Sequence, residues 1–324
     1  MNIPAATSRR PHGLRHDAIF YDDQQAFASA AVGFVGEGVA LGEVVLVNTG
    51  TNPVTGTLRD LFAGNDQVVF AENPVYGKPA AVLDLYQRTM DRGLNAGVPG
   101  YRAMGFIDFD TGRLPWREWL RYEAVVNDAL ADFPFQTLCP YDMREVEPEI
   151  VEAIRRSHPT LVEDGVRRAN PDYLPPAELV TLPAYLPGDD PVQQQPPRLT
   201  LEPPPRSVED VRLELYPALL PTGVPRLKVD DFVKAATEVV LNAWNHGAEP
   251  VSLRVWTTED RLVCTVTDAG AGIDYPLAGY ARATGALAGA GLGLWAARQL
   301  VDVLDYRLTE DGFTVRLVAR ADLP

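Results

Sequence analysis

Glu238 and Asn242, an acid and an amide one helical turn apart, head the residues of this sequence that could do chemistry. In a helix, positions i, i+4 and i+7 or i+8 share a face, so Asn245 or His246 extends the pair. An amide oxygen suits a hard, oxygen-seeking magnesium ion that keeps several of its waters. A carboxylate one turn away can orient or deprotonate an attacking hydroxyl or water. Alone, the pair reads as readily as the exposed side of an amphipathic helix. The apolar side is Phe232, Val233, Ala236, Val239, Val240 and Ala243, and Gly247 is expected to end the helix as a left-handed cap.

Two further signatures follow in order. Asp268 closes an apolar run (Leu262, Val263, Cys264, Val266) and precedes Gly270 and Gly272. A carboxylate there can accept from the exocyclic amine of adenine and would repel the carbonyl of guanine. The two glycines let backbone approach the base without a Cβ clash. Gly289, Gly291, Leu292 and Gly293 then open a helix expected over 292–304, whose unpaired N–H groups suit phosphate. The spacing is not that of a dinucleotide fingerprint, and no Gly-Lys-Ser/Thr loop occurs. Residues 275–288 are rich in glycine and alanine around one base, Arg282, which suits a lid over phosphates. Each signature alone is weak, since a turn or a flexible loop explains it. The ordered set points to ATP with Mg2+, Asn242 being the metal ligand.

The elements that must hold these residues form an α+β layer: a helix over 230–246, a hairpin of 251–257 and 261–268, the helix after the glycines, and a last hairpin of 305–308 and 313–319. Upstream, strands at 44–47, 68–70, 101–106 and 136–141 alternate with helices at 24–39, 80–95 and 116–131. That alternation implies a mostly parallel sheet covered on both faces. Ligands of such sheets sit at the strands' carboxyl ends, where Asn48, Thr49, Glu72, Asp108 and Asp142 stand. Between the halves, prolines crowd residues 171–205, so residues 183–205 are expected to be an extended, semi-rigid connector.

Composition narrows the classes. A formal charge of -15 argues against a nucleic-acid groove, because phosphate backbones recruit lysine and arginine. No stretch approaches the ~20 apolar residues of a membrane span, and the first residues lack a signal-peptide core. A cytoplasmic protein is expected. The two cysteines, Cys139 and Cys264, lie in apolar runs and read as buried free thiols.

On the three signatures, residues from about 206 to 322 resemble the Bergerat-fold (GHKL) ATPases, a two-layer sandwich, and within them the anti-sigma-factor serine kinases. The resemblance implies that Glu238 is the catalytic base, Asn242 the magnesium ligand, Asp268 the adenine-reading acid and the glycines the phosphate and lid hinges. The family's last hairpin often carries Gly-Thr, whereas this chain reads Gly312-Phe313-Thr314. The segment from His16 to Tyr21, the strand at Val44–Val47, the helix of Trp116, Trp119 and Glu123, Cys139 to Asp142, and His158-Pro159 are similar to the MEDS sensory domain. That resemblance implies a RecA-like α/β fold over residues 1–182 and a small-molecule ligand, with His16 and Tyr21 as candidate pocket residues. The loop after Val47, Asn48 to Thr51, has no phosphate-loop chemistry.

Together the resemblances imply an ATP-binding signalling regulator that phosphorylates a small anti-sigma-factor antagonist and sequesters a sigma factor; they also allow a homodimer. A sensor histidine kinase and a catalytically inert ATP-binding switch are the alternatives. The first needs an acceptor histidine on a long helical hairpin ahead of the ATPase domain. His158 is followed directly by Pro159, His12 and His16 are far upstream, and Pro171, Pro175, Pro176 and Pro183 fall where the second helix would run. Each interior proline costs a helix about 3 kcal/mol. The inert reading would be expected to lack the carboxylate or the amide, and both are present.

Overall fold

The computed structural model describes residues 13–50, 52–71, 78–107, 116–183, 190–205, 207–273, 277–280, 292–310 and 312–322. Glu72 and Asp108 lie outside them. Contacts divide the chain into two units.

The first unit is a seven-stranded sheet. In chain order its elements are β1 (Arg15–Tyr21), α1 (Gln24–Leu41), β2 (Val44–Asn48), α2 (Val54–Leu61), β3 (Val68–Phe70), α3 (Pro79–Asn95), β4 (Tyr101–Gly105), α4 (Trp116–Ala129), β5 (Phe135–Asp142), α5 (Pro148–Ser157), β6 (Thr160–Glu163) and β7 (Val166–Ala169). The strand order is β3-β2-β4-β5-β1-β6-β7, parallel throughout except for β7, which runs antiparallel to β6. Every residue of β5 is buried, as a central strand covered on both faces requires. On one face, Phe27, Ala31, Phe34 and Val35 of α1 and Leu58 of α2 pack on Ile19, Val45, Val47 and Met104. That face also encloses a charge: Arg102 of β4 bonds Glu43, Glu37 and the Phe34 carbonyl. Gly38 of α1 makes room for it, since a Cβ there would lie 2.7 Å from Arg102 Cδ.

The alternating pattern thus reads correctly as a mostly parallel sheet. Three strands escaped it. β1 stands out in the sequence only through the resemblance of residues 16–21, and β6 and β7 are short strands flanking the Asp164-Gly165 turn.

Part of α3 and most of α4 cluster with the second unit, namely residues 78–84 and 116–125. The rest of that unit is α6 (Pro176–Leu179), β8 (Leu199–Leu201), α7 (Val208–Leu219), α8 (Arg226–His246), β9 (Ser252–Thr257), β10 (Arg261–Asp268), α9 (Leu292–Leu300), β11 (Val303–Thr309) and β12 (Gly312–Arg320). Its sheet, ordered β11-β12-β10-β9-β8, is antiparallel throughout. Strand alternation turns Leu253, Val255, Leu262, Cys264, Val266, Val315 and Leu317 to one face. There they meet Val211 and Leu215 of α7, Phe232, Val233, Ala236, Val239 and Val240 of α8, and Leu294 and Ala297 of α9 in one core. This is the expected two-layer α+β sandwich. Burial pushes the Cys264 thiol up, which keeps it protonated and inert.

Two expectations need correction, and one helix lies outside them. The proline-dense stretch 183–205 is not an extended connector throughout: Leu199 to Leu201 pair with β9, and Trp256 Nε1 donates to the Gln195 carbonyl at 2.8 Å. The edge of a sheet tolerates neighbouring prolines because its outer backbone groups need no partner. The helix expected over 292–304 stops at Leu300, because the Asp302 amide bonds the Val318 carbonyl and Val303 enters the sheet. Helix α7 was not foreseen, although Ser207 caps it by accepting from the Asp210 amide at 3.4 Å.

Candidate functional site

Glu238 and Asn242 project from α8, both half-buried. Asn242 Nδ2 is buried with no hydrogen-bond partner among the described residues, a cost a folded core rarely carries without a use. The first turn of α9 packs against them. A Cβ on Gly293 would fall 3.0 Å from Asn242 Oδ1 and 3.3 Å from Glu238 Oε2. Glycine at 293 therefore brings the start of a helix, with its unpaired N–H groups, onto the acid–amide pair. Leu292 precedes it and is exposed. Asn245 and His246 stand in the last turn of α8, exposed, and the structure gives neither a contact with the pair. Arg282, Gly289 and Gly291 lie outside the described residues.

At the far end of α8 sits Asp268, buried at the end of β10. Its Oδ1 accepts from the Gly270 amide at 2.8 Å and from the Ala248 amide at 3.3 Å. Here Gly247 departs from expectation. Its φ of -86° and ψ of -161° are extended, not left-handed. The residue is glycine for space: a Cβ would lie 2.4 Å from Asp268 Cγ and 2.7 Å from the Ala243 carbonyl oxygen. Gly270 is packed the same way, with its Cβ position 2.6 Å from Asp268 Oδ1. Gly272 differs, since its φ of +87° itself favours glycine and its Cβ position meets the Phe313 ring at 2.9 Å. Two of the glycines thus seat the carboxylate itself, a role that sequence spacing does not distinguish from room for a base.

Substituting Gly247 by alanine should therefore destabilise the protein by about 1–3 kcal/mol, the cost of overpacking. Urea unfolding would register it as a lower midpoint at unchanged slope. A midpoint equal to that of the parent would contradict the packing argument.

Phe313 stands opposite Asp268 in the β10–β12 ladder, and Thr314 stands opposite Thr267. The Thr267 and Thr314 hydroxyls bond each other at 2.8 Å, on the face of the sheet away from Asp268. The shift from Gly-Thr to Gly-Phe-Thr thus replaces a hydroxyl beside the carboxylate with a ring. A groove lined by Glu202, Trp244, Arg254, Thr267 and Thr314 opens on that other face, and none of Glu238, Asn242 and Asp268 lines it.

Sequence reasoning missed one cluster beside the site. Tyr280 is buried, and its hydroxyl donates to Glu118 Oε2 at 2.8 Å. Burial pushes the Tyr280 phenol up, so it remains a donor. The Arg298 guanidinium of α9 lies 3.7 Å from the Tyr280 ring centroid, its Nε donates to the Ala278 carbonyl at 3.4 Å, and Glu118 also pairs with Arg121. Gly279, at φ +80°, fits against Leu294 of α9. The chain just ahead of residue 281 is therefore pinned to α9 and α4. The sequence signal available was the pairing of acid and base, Glu118 and Arg121, at i and i+3 among the aromatic residues Trp116, Trp119 and Tyr122.

In the first unit, Asn48 and Asp142 end β2 and β5, and Thr49 follows β2; all three are buried. The Thr49 hydroxyl bonds Thr55, and Asp142 pairs with Arg144, which holds its carboxyl below the usual range. His16 and Tyr21 are five apart on β1, hence on opposite faces, so one pocket cannot receive both. Tyr21 stacks on Phe27 at 4.4 Å, and its phenol is pushed up to about 12 by burial.

Residues 15–159 match the family model of MEDS, the methanogen/methylotroph DcmR sensory domain, and residues 201–319 match that of the histidine kinase-like ATPase domain. The chain joins a MEDS domain to a histidine kinase-like ATPase domain. No curated protein matches it. Among solved structures, the RsbU and RsbW domains of Rv1364c from Mycobacterium tuberculosis align at 22% identity and a TM-score of 0.28, over 38% of this chain and 30% of that one. The ATPase match spans α8, β10, α9 and β12, the elements that gather Glu238, Asn242, Gly293 and Asp268. Among the described residues, no helix is long and apolar enough to cross a membrane.

Proposed function

We propose that this protein is an ATP-dependent protein-serine kinase of the anti-sigma-factor type, acting on a small antagonist protein and governed by its MEDS domain. One observation supports it most: the carboxylate and amide of α8 face the first turn of α9 across Gly293, while the same helix ends against Asp268. Asn242 and Gly247 are five residues apart, about 7–8 Å along the axis. The arrangement suits a nucleotide lying along α8, base at Asp268 and phosphates at Asn242. Magnesium, when bound, would neutralise phosphate charge as it does in phosphoryl transfer generally. Asn242 would hold it through its side-chain oxygen, the atom that suits a hard cation. Glu238 would take the proton of an incoming serine hydroxyl.

The partner class, an anti-sigma-factor antagonist or a sigma factor, rests on the resemblance of residues 206–322 to those kinases and on fold-level analogy. Autophosphorylation at His158 is disfavoured, because its ring is fully buried and its Nδ1 bonds the Ile154 carbonyl at 2.8 Å.

The test is capture of the full chain from its host with and without ATP and magnesium, followed by phosphosite mapping. Phosphoserine on a small co-purified protein is expected. Phosphohistidine on the chain itself would move the assignment to a sensor histidine kinase. Nucleotide retained without any transfer would make it an inert switch.

A further inference from the structure

The first unit holds a cluster of chemistry that the nucleotide site does not use. His16 of β1, Cys139 of β5 and His158, which follows α5, are all buried. β1 and β5 run parallel with His16 opposite Thr137 and Ala18 opposite Cys139, which turns His16 and Cys139 to the same face of the sheet. α5 delivers His158 to that face, with its ring centroid 4.0 Å from that of His16. The metal-ligating atoms of the three residues lie within 4.8 Å of one another.

The hydrogen bonds around the cluster fix which ring nitrogen carries each lone pair. Asn127 Nδ2 donates to the Ser157 carbonyl at 2.8 Å, so its Oδ1 is the atom facing His16 Nδ1, 3.1 Å away. His16 must then be protonated on Nδ1, which puts the lone pair on Nε2. That nitrogen is 3.5 Å from Cys139 Sγ. His158 Nδ1 meets the Ile154 carbonyl at 2.8 Å, so it too is the protonated nitrogen and Nε2 carries the lone pair. The Thr137 hydroxyl lies 3.4 Å from Cys139 Sγ, within reach to donate to a thiolate. Metal-bound imidazoles are oriented in this way, by a carbonyl acceptor on the second nitrogen.

We propose that His16, Cys139 and His158 bind a divalent transition ion of the zinc class. The donor set selects it, because thiolate with imidazole suits borderline-soft ions and not magnesium or calcium. The spacing agrees: arms of about 2.1 Å to nitrogen and 2.3 Å to sulfur at tetrahedral angles put those atoms about 3.6 Å apart. The observed His16–Cys139 separation is 3.5 Å. On binding, the Cys139 thiol gives its proton to solvent, and the sulfur and the two Nε2 lone pairs become ligands.

The whole chain, stripped of metal and titrated with cobalt(II), should develop a thiolate-to-cobalt charge-transfer band that zinc abolishes by displacement. Cys139→Ser should remove the band, and Cys264→Ala should keep it, since Cys264 lies in the core of the other unit. Asn127→Ala touches no ligand atom and should weaken binding by about 10–100-fold through the misoriented His16 ring. Circular dichroism would establish that each variant is folded. A band that survives Cys139→Ser in folded protein, no band at any cobalt concentration, or retention of magnesium or calcium alone would each overturn the assignment. This readout does not depend on nucleotide binding, so it stands or falls apart from the kinase reading.

Discussion

Glu238→Gln should lower phosphoryl transfer by about 100- to 10,000-fold, the usual worth of a positioned general base, and leave nucleotide affinity nearly unchanged. The substitution keeps the side chain's volume, which matters because Gly293 packs against Glu238 Oε2. It replaces the anionic carboxylate with a neutral amide that cannot take up a proton. Asn242, one turn further along α8, and Asp268, at the end of β10, are untouched. Single-turnover transfer to the captured partner would measure the first effect and calorimetry with ATP and magnesium the second. Parallel losses in both would mean that Glu238 holds the nucleotide and does not act on the acceptor.

Asp268→Asn should weaken ATP by about 10–150-fold, from the roughly 1.5–3 kcal/mol carried by a hydrogen bond to a charged group. The local bonding makes the sign unambiguous. Two backbone amides, of Gly270 and Ala248, already converge on Oδ1. In the variant they would claim the side-chain oxygen and turn the NH2 group toward the base. That group would oppose the amine of adenine and suit the carbonyl of guanine. Calorimetric titration with ATP and with GTP should therefore show the preference between them narrowing or reversing. An ATP preference equal to that of the parent would remove Asp268 from the base site.

The sequence carried most of the second unit because its signals are local. The apolar spacing of Phe232, Val233, Ala236, Val239 and Val240 is helical whatever lies around it, and the alternation from Leu262 to Val266 is that of a strand. What escaped was set by partners distant in the chain. Leu199 to Leu201 form a strand only because β9 is there to pair with them. Prolines 203 to 205 and Pro217 obscured α7, although Val211 and Leu215 repeat at helical spacing behind Ser207 and two acids. Gly247 looked like a helix terminator, and only Asp268, 21 residues on, reveals why no larger residue fits. The histidine–cysteine cluster stands in the sequence as separate pieces, because the sheet register that joins β1 to β5 is not written in either strand.

The buried contact from Tyr280 and Arg298 to Glu118 bears on how the protein can be dissected. A fragment starting where the ATPase match begins would contain the tyrosine and the arginine but leave their acid behind. A guanidinium and a phenol shielded from water would then lack their counterpart, right where the polypeptide leaves for the residues between 280 and 292. Kinetics collected on such a truncation would describe an altered setting of α9, so the intact polypeptide is the form on which rates have meaning.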